Sequence, residues 1–225
     1  MTKKDSIIFA GYRSWAEDLY RKSKDLFPQF NWYLAKSSEE LVDLYDIKSC
    51  NLVILAGWSW ILSRDQVNKK TVLGLHPSDL PNYAGGSPVQ NQILEGITKT
   101  KMSLFKLDEK IDHGDIVYKT DLDLSGGISN IFKNMTESGI EIVKKIVKDY
   151  PDFPYTSQKG VGKMCRRLKP SSSRLQKNMI KDMTALEIYN FIRCREDPYP
   201  NVYIEDDSGR VIFKEVKYCN KENSK

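Results

Sequence analysis

Asn51-Leu52-Val53-Ile54-Leu55-Ala56-Gly57 is the stretch that decides how this chain folds. Its apolar residues run without alternation and stop at a glycine, the pattern of a short strand covered on both faces. Such a strand needs helices above and below it, and the flanking sequence supplies them. Upstream, Ile7-Ile8-Phe9-Ala10-Gly11 is another apolar run ending in Gly, and Ser14 to Phe27 follows at helical spacing through Trp15, Leu19, Leu26 and Phe27. Asn31-Trp32-Tyr33-Leu34-Ala35 reads as a strand, and Ser37-Ser38-Glu39-Glu40 opens a helix with an N-cap signature. Downstream, Val72 to Leu75 is a fourth strand. The alternation predicts an α/β chain with a Rossmann-like, mostly parallel sheet, helices on both sides and ligands beyond the carboxyl ends of the strands. Gly11, Gly57 and His76 fall at such ends.

Further along, Ser87-Pro88-Val89-Gln90 predicts a helix start, with Ser as N-cap, Pro at the first helical position and Gln closing a capping box; the helix runs to about Glu95. Met102 to Leu107 and Ile116 to Leu122 are strand-like and separated by an acidic turn. Ser129 to Lys148 is an amphipathic helix with Ile131, Met135, Ile142, Val143 and Ile146 inward. The Pro-rich break Tyr150-Pro151-Asp152-Phe153-Pro154-Tyr155 divides a catalytic domain, 1–150, from an extension, 151–225. That extension holds a basic stretch, a helix from about Thr184 to Cys194, and a hairpin of Val202-Tyr203-Ile204 and Val211-Ile212-Phe213 joined through Asp206-Asp207-Ser208-Gly209. Polar residues from Asn220 to Lys225 are expected to fray.

Composition bounds the function. At 225 residues the chain builds one main core, and with 40% hydrophobic and 29% charged residues it has no apolar run near the roughly 18 of a membrane span. Met1-Thr2-Lys3-Lys4-Asp5-Ser6 leads into a strand rather than a signal-peptide core, so the expectation is a cytoplasmic protein with no membrane partner. Cys50, Cys165, Cys194 and Cys219 lack metal-ligand or redox spacing, which predicts free thiols and no metal. The net charge of +5 is mild and predicts no nucleic-acid partner. Lys159, Lys163, Arg166, Arg167, Lys169, Arg174 and Lys177 concentrate it in one stretch, read as a solvated face ahead of a phosphate site.

Histidine occurs twice. His76 opens His76-Pro77-Ser78-Asp79-Leu80-Pro81 at a strand end; His113 stands in Asp112-His113-Gly114-Asp115-Ile116. Histidine's ordinary pKa lets it exchange protons near neutrality, so one His beyond a buried strand with an acidic turn downstream points to acid/base chemistry. His113, at the variable position of the turn, is read as a solvent-exposed residue. Gly114 is read as the residue that permits the tight turn carrying Asp112 inward.

Five motifs taken in order over Ser6 to Lys148 resemble folate-dependent formyltransferases: Gly57-Trp58-Ser59-Trp60-Ile61-Leu62, the His76 motif, Gly85-Gly86-Ser87-Pro88, Gly96-Ile97-Thr98 and the Asp112 motif. The resemblance implies formyl transfer from 10-formyltetrahydrofolate to an amine, with His76 and Asp112 matching two of the three polar residues the family uses. In this chemistry negative charge builds on the formyl oxygen, and a well-placed donor lowers the barrier by about 3 kcal/mol. The family's third residue, an Asn, would stand at position 74, which is Gly here; Asn91, in the first turn of the helix after Ser87, is the expected replacement. The resemblance further implies Trp58, Ile61, Leu107, Asp108, Ile111 and Asp112 as folate contacts, with Trp60 read as core. Tyr12, Arg13, Tyr83, Gly85 and Gly86 are the substrate candidates.

Met183 to Arg193, followed by Pro198-Tyr199-Pro200-Asn201 and the hairpin, resembles the members that formylate nucleotide-linked amino sugars for surface polysaccharide. The expected substrate is a dTDP-linked amino dideoxy sugar, and the open hairpin edge suggests a homodimer. Methionyl-tRNA and glycinamide ribonucleotide formyltransferases share the core and remain alternatives, the former expected to carry a longer basic domain. A binding protein that lost catalysis with the Asn is the third.

Overall fold

The computed structural model describes residues 4–47 and 50–220. The polar end at 221–225, expected to fray, lies outside them. A six-stranded sheet runs in the order β2 (Asn31–Ala35), β1 (Ser6–Ala10), β3 (Cys50–Ala56), β4 (Thr71–His76), β6 (Lys99–Lys106), β7 (Ile116–Asp123). The first four strands are parallel, whereas β6 pairs antiparallel with both β4 and β7. The mostly parallel sheet is therefore mixed at one edge. A short strand, β5 (Ala84–Gly85), and helix α4 (Pro88–Leu94) lead to a glycine turn at Gly96, φ 77°, which sends the chain back along β4 rather than through another crossover.

The apolar runs are buried on both sides, as their lack of alternation requires. Ile7, Phe9, Leu52, Ile54, Leu73 and Leu75 share a core with α1 (Ser14–Leu26) and α5 (Ile128–Asp149), while Ile8, Ala10, Val53, Leu55 and Val72 pack with Leu41 of α2 (Ser38–Tyr45). Ile131, Met135, Ile142, Val143 and Ile146 are all buried on α5. Helices α1 and α5 approach so closely that a Cβ on Gly139 would lie 2.6 Å from Leu19. Each large apolar side chain so buried contributes roughly 1.5–3 kcal/mol.

Several local expectations fail for local reasons. Leu26 is exposed and outside the core. Ser87 adopts a left-handed conformation, φ 51°, so its hydroxyl does not cap α4; it accepts instead from the Leu168 N–H at 3.1 Å. Gln90 bonds Tyr199 rather than closing a capping box. Helices α3 (Arg64–Lys69) and α6 (Lys177–Asp182) are too short to show a period.

The chain beyond Tyr150 is laced into the core. Strand β8 (Met164–Cys165) pairs with β5, and α7 (Ala185–Arg193), capped by Thr184 and Glu187, shares a small cluster with Leu175 and Val202. Buried Arg193 donates to the Leu124 and Gly126 carbonyls, each at 2.7 Å, and the Glu196 carboxylate accepts the Ile128 N–H at the start of α5. The hairpin of β9 (Val202–Asp206) and β10 (Gly209–Phe213) follows, with Val211 and Ile212 exposed on it. No helix among the described residues is long and apolar enough to cross a membrane.

Candidate active site

His76 is the last residue of β4 and only 7% exposed. Its Nε2 lies 2.8 Å from the Tyr83 carbonyl, which can only accept, so that nitrogen carries a hydrogen. The other ring nitrogen, Nδ1, faces the Asp112 carboxylate, 3.5 Å from Oδ2. The loop between β4 and α4 holds this geometry. The Gln92 amide donates to the Pro77 carbonyl at 2.8 Å, the Ser103 hydroxyl donates to the Ser78 carbonyl at 2.7 Å, and Tyr83 presents its carbonyl from a left-handed backbone, φ 58°. The Tyr83 hydroxyl donates to Glu95 at 2.7 Å, and Lys163 pairs with the same carboxylate. Those two partners, Lys163 first, hold the Glu95 carboxyl below its ordinary range, and burial with the Glu95 bond pushes the Tyr83 phenol up to about 12.

Asp112 reaches His76 from the turn between β6 and β7. Its backbone is left-handed, φ 54°, and its Oδ2 accepts the Gly85 N–H at 2.7 Å. Its carbonyl accepts from the Gln158 amide at 2.9 Å, and the same nitrogen donates to the Gly114 carbonyl at 2.8 Å. The left-handed residue of the turn is thus Asp112 itself. Gly114 is needed for another reason: a Cβ there would lie 1.6 Å from the Lys106 carbonyl oxygen. His113 is exposed.

Position 74 explains itself in the sheet. Gly74 is paired with Phe105 across β4 and β6, and a Cβ on it would meet Phe105 at 2.8 Å and Leu107 at 2.9 Å. Those two side chains cover the site an Asn would fill. Asn91 does not replace it. Its amide nitrogen donates to the carbonyls of Ser87 at 2.8 Å, Gly86 at 3.1 Å and Arg166 at 3.3 Å, which ties the start of α4 to the 166–168 segment and leaves no hydrogen for an oxyanion. Asn91 is a structural bracket here, contrary to the sequence expectation.

The expected folate contacts lie on two loops, and an exposed Arg64–Glu109 ion pair at 2.8 Å links the second loop to the start of α3, which follows the first. Ile61 and Ile111 are 89% and 61% exposed, apolar side chains left uncovered. Asp108 fixes its loop by accepting the Lys110 N–H at 2.8 Å, and Leu107 packs over Gly74. Trp58 is half-buried, and its indole N–H is buried without an acceptor among the described residues. Trp60 is not core: it is 41% exposed and packs against Trp58 at 4.7 Å and Tyr12 at 5.0 Å. An uncovered aliphatic pair, an aromatic wall and an orphaned ring N–H fit a planar, heteroatom-bearing ring such as a pterin.

Tyr12 and Arg13 stand at the end of β1. The Tyr12 hydroxyl is 2.7 Å from that of Ser59, and the Arg13 guanidinium lies over the Tyr12 ring at 4.8 Å and 5.7 Å from the Tyr199 ring. Gly85 contributes its N–H to Asp112, while Gly86 donates to the Cys165 carbonyl at 3.0 Å and leaves no room for a side chain, a Cβ falling 2.6 Å from Arg167. Tyr83 serves His76 and Glu95, so its role is to position the site. Sequence reading missed Gln158, Phe105 and the Tyr83 carbonyl. Neither a backbone carbonyl nor a glutamine 46 residues from its partner leaves a local signal.

Residues 20–130 match a family model described as Formyl transferase. The methionyl-tRNA formyltransferase of Rickettsia rickettsii (strain Iowa) is 24% identical over 188 residues, covering 81% of this chain and 60% of that relative. The chain thus spans about 60% of the length of the curated relatives it matches first. Among solved structures, a methionyl-tRNA formyltransferase from Clostridium thermocellum is 29% identical with a TM-score of 0.87, covering 96% of this chain and 95% of that one. A 4-N formyltransferase from Francisella tularensis (15% identity, TM-score 0.77, 96% and 99% covered) shares the fold. So does HypX from Aquifex aeolicus in complex with tetrahydrofolic acid (18%, 0.76, 90% and 36%). Over residues 20–130 the chain is thus similar to the formyl transferase family, and it shares the fold of the Clostridium protein.

Proposed function

We propose that this chain transfers a formyl group from 10-formyltetrahydrofolate to a primary amine, with His76 and Asp112 as the acid/base pair. The observation that carries the reading is the pairing of His76 Nδ1 with the Asp112 carboxylate beyond the end of β4, each held from behind by a backbone group. The bound folate supplies the electrophilic formyl group; Ile61, Ile111 and Trp58 would hold its ring, with the backbone of 107–111. Because Nε2 is committed to Tyr83, Nδ1 is the ring nitrogen that can hold a proton against the formyl oxygen. Asp112 would stabilise the charged imidazole, receive the proton the amine sheds as its bond to the formyl carbon forms, and return it to the folate nitrogen as the old carbon–nitrogen bond breaks, so that tetrahydrofolate leaves. Oδ2 already accepts from Gly85, which leaves Oδ1 for the amine.

For the acceptor, similarity supports methionyl-tRNA first, since the Rickettsia and Clostridium proteins bear that name. The Clostridium chain is 95% covered, whereas the Rickettsia protein is covered to 60%. A nucleotide-linked amino dideoxy sugar, with dTDP as the expected nucleotide, is the second reading. It is favoured by the near-complete coverage of the Francisella 4-N formyltransferase and by Arg13 and exposed Trp60, both packed against Tyr12, which suit a nucleotide's phosphate and base. Offering methionyl-tRNA and a panel of dTDP- and UDP-linked amino sugars with 10-formyltetrahydrofolate, and following tetrahydrofolate release, decides between them. No release with any amine would end the formyl-transfer reading.

A further inference from the structure

We propose that Gln158 is a positioning residue for the candidate acid/base pair: its carboxamide, by clamping the carbonyls of Asp112 and Gly114, keeps the Asp112 carboxylate at His76 Nδ1. The inference rests on the formyl-transfer reading for its consequence in turnover, and on geometry alone for its effect on His76.

Asp112 needs an outside restraint. A left-handed backbone is unfavourable for any residue with a Cβ, and a turn free to relax would swing the carboxylate away. The Gly85 N–H grips Oδ2 at 2.7 Å, but that bond orients the carboxylate only after the backbone is in place. Gln158 fixes the backbone. One amide nitrogen, 2.9 Å and 2.8 Å from two carbonyls of the turn, spends both hydrogens on them, and since carbonyls only accept, the amide has one workable orientation.

The opposite end of the same amide argues for this role. Oε1 is buried and has no donor among the described residues, a desolvation penalty that an apolar side chain of similar shape would avoid. The NH₂ end is what an apolar side chain cannot supply. Gln158 is itself well anchored, because Thr156 exchanges backbone bonds of 2.8 Å and 2.9 Å with Ile116 at the start of β7, and β8 follows against β5. Its hydrogen bonds go to the turn and none to His76, so it acts through Asp112.

The chain's two histidines make the test direct. Imidazole nitrogens of the full-length protein are followed by NMR at a fixed pH, with Asp112→Asn as the limit in which the carboxylate is lost from His76. In Gln158→Met, which keeps the shape and loses both donors, the His76 Nδ1 resonance should move clearly toward its position in Asp112→Asn. Formyl transfer by the same variant should lose roughly 10- to 100-fold in kcat with KM changed less than about twofold. Gln158→Lys, which still offers hydrogens to both carbonyls but adds a charge beside the pair, is read by kcat and should keep most of it. A folded Gln158→Met with the wild-type Nδ1 resonance and kcat overturns the proposal. If the Met variant does not fold, the Lys variant decides, a kcat as low as that of Asp112→Asn being fatal. Should wild type transfer no formyl group, the functional reading fails while the NMR result still judges Gln158.

Discussion

Installing the family's asparagine at position 74 should damage this protein rather than improve it. Gly74 lies under the Phe105 ring, and the first atom of any side chain would sit 2.8 Å and 2.9 Å from ring carbons and 2.9 Å from a Leu107 methyl. Carbon–carbon contacts are favourable near 3.5–4 Å, so Ala alone demands that a ring only 4% exposed, packed with Leu80 and Ala84, move by several tenths of an ångström. Overpacking of that kind costs about 1–3 kcal/mol, and Asn adds a polar amide with no partner, about 1–3 kcal/mol more. In a domain of this size 1 kcal/mol moves Tm by roughly 2–4 °C. Gly74→Ala should therefore melt roughly 2–12 °C below wild type. Gly74→Asn should melt lower still, and neither should raise kcat. The clash is specific to its neighbours, so Gly74→Ala combined with Phe105→Leu should lose less than the sum of the single changes by about 0.5–3 kcal/mol in urea unfolding. Additive losses, a Gly74→Ala as stable as wild type, or a faster Gly74→Asn would refute the account of why position 74 is glycine.

Other expectations are narrower. His76→Ala and Asp112→Asn should each lower turnover by roughly 10²-fold or more with folding intact, checked by steady-state kinetics and circular dichroism; near-normal turnover ends the assignment. Asn91→Ala should cost about 1–3 kcal/mol in thermal unfolding yet keep kcat within about threefold well below Tm, and Asn91→Asp, which sets a carboxylate against three carbonyl oxygens, should melt lower. A roughly 10²-fold fall in kcat for a well-folded Asn91→Ala would restore it to the chemistry. The Tyr83 and Tyr118 phenols are both pushed up to about 12 by burial, then by Glu95 and Asp149 respectively. A raised folded pKa means their contribution to stability is complete below the ordinary value of 10.0 and is lost as pH rises through about 12. Phenolate absorbance should lose one late-ionising tyrosine in Tyr83→Phe, and unfolding should become easier over the same window; tyrosines that all ionise together near their ordinary value, in folded protein, would contradict this.

What could be read in the sequence was what repeats locally. Two-sided strands announce themselves by unbroken apolar runs, α5 by its period, and His76 and Asp112 by motifs rich in turn residues. The reading failed where partners are distant. Ser87 follows the capping pattern of a helix start, but Leu168 takes its hydroxyl and Tyr199 takes Gln90. Trp60 looks like core in composition, yet the loop after β3 leaves it outside. Asn91 offered an amide in the right part of the fold, and three carbonyls consumed it. The division at residue 150 marks a real break in composition but not in bonding, since Gln158, Lys163 and Leu168 all reach back to the site.

The Glu196 carboxylate that holds the first N–H of α5 also sets a clock on synthesis. Ile128 and Glu196 are 68 residues apart, so a ribosome adding about 5–20 residues per second delivers the partner roughly 3–14 s after the helix start has been made. Through that interval the longest helix of the core has an open amino end, and the Asp112 turn, whose clamp is 46 residues downstream, is likewise unheld. The nascent sheet must then persist on its own strand ladders and apolar burial, without these later contacts. Slowing translation between residues 130 and 200 should therefore lengthen the exposure of the β6–β7 edge to proteases and chaperones, a vulnerability that belongs to the order in which the chain is made and vanishes once it is complete.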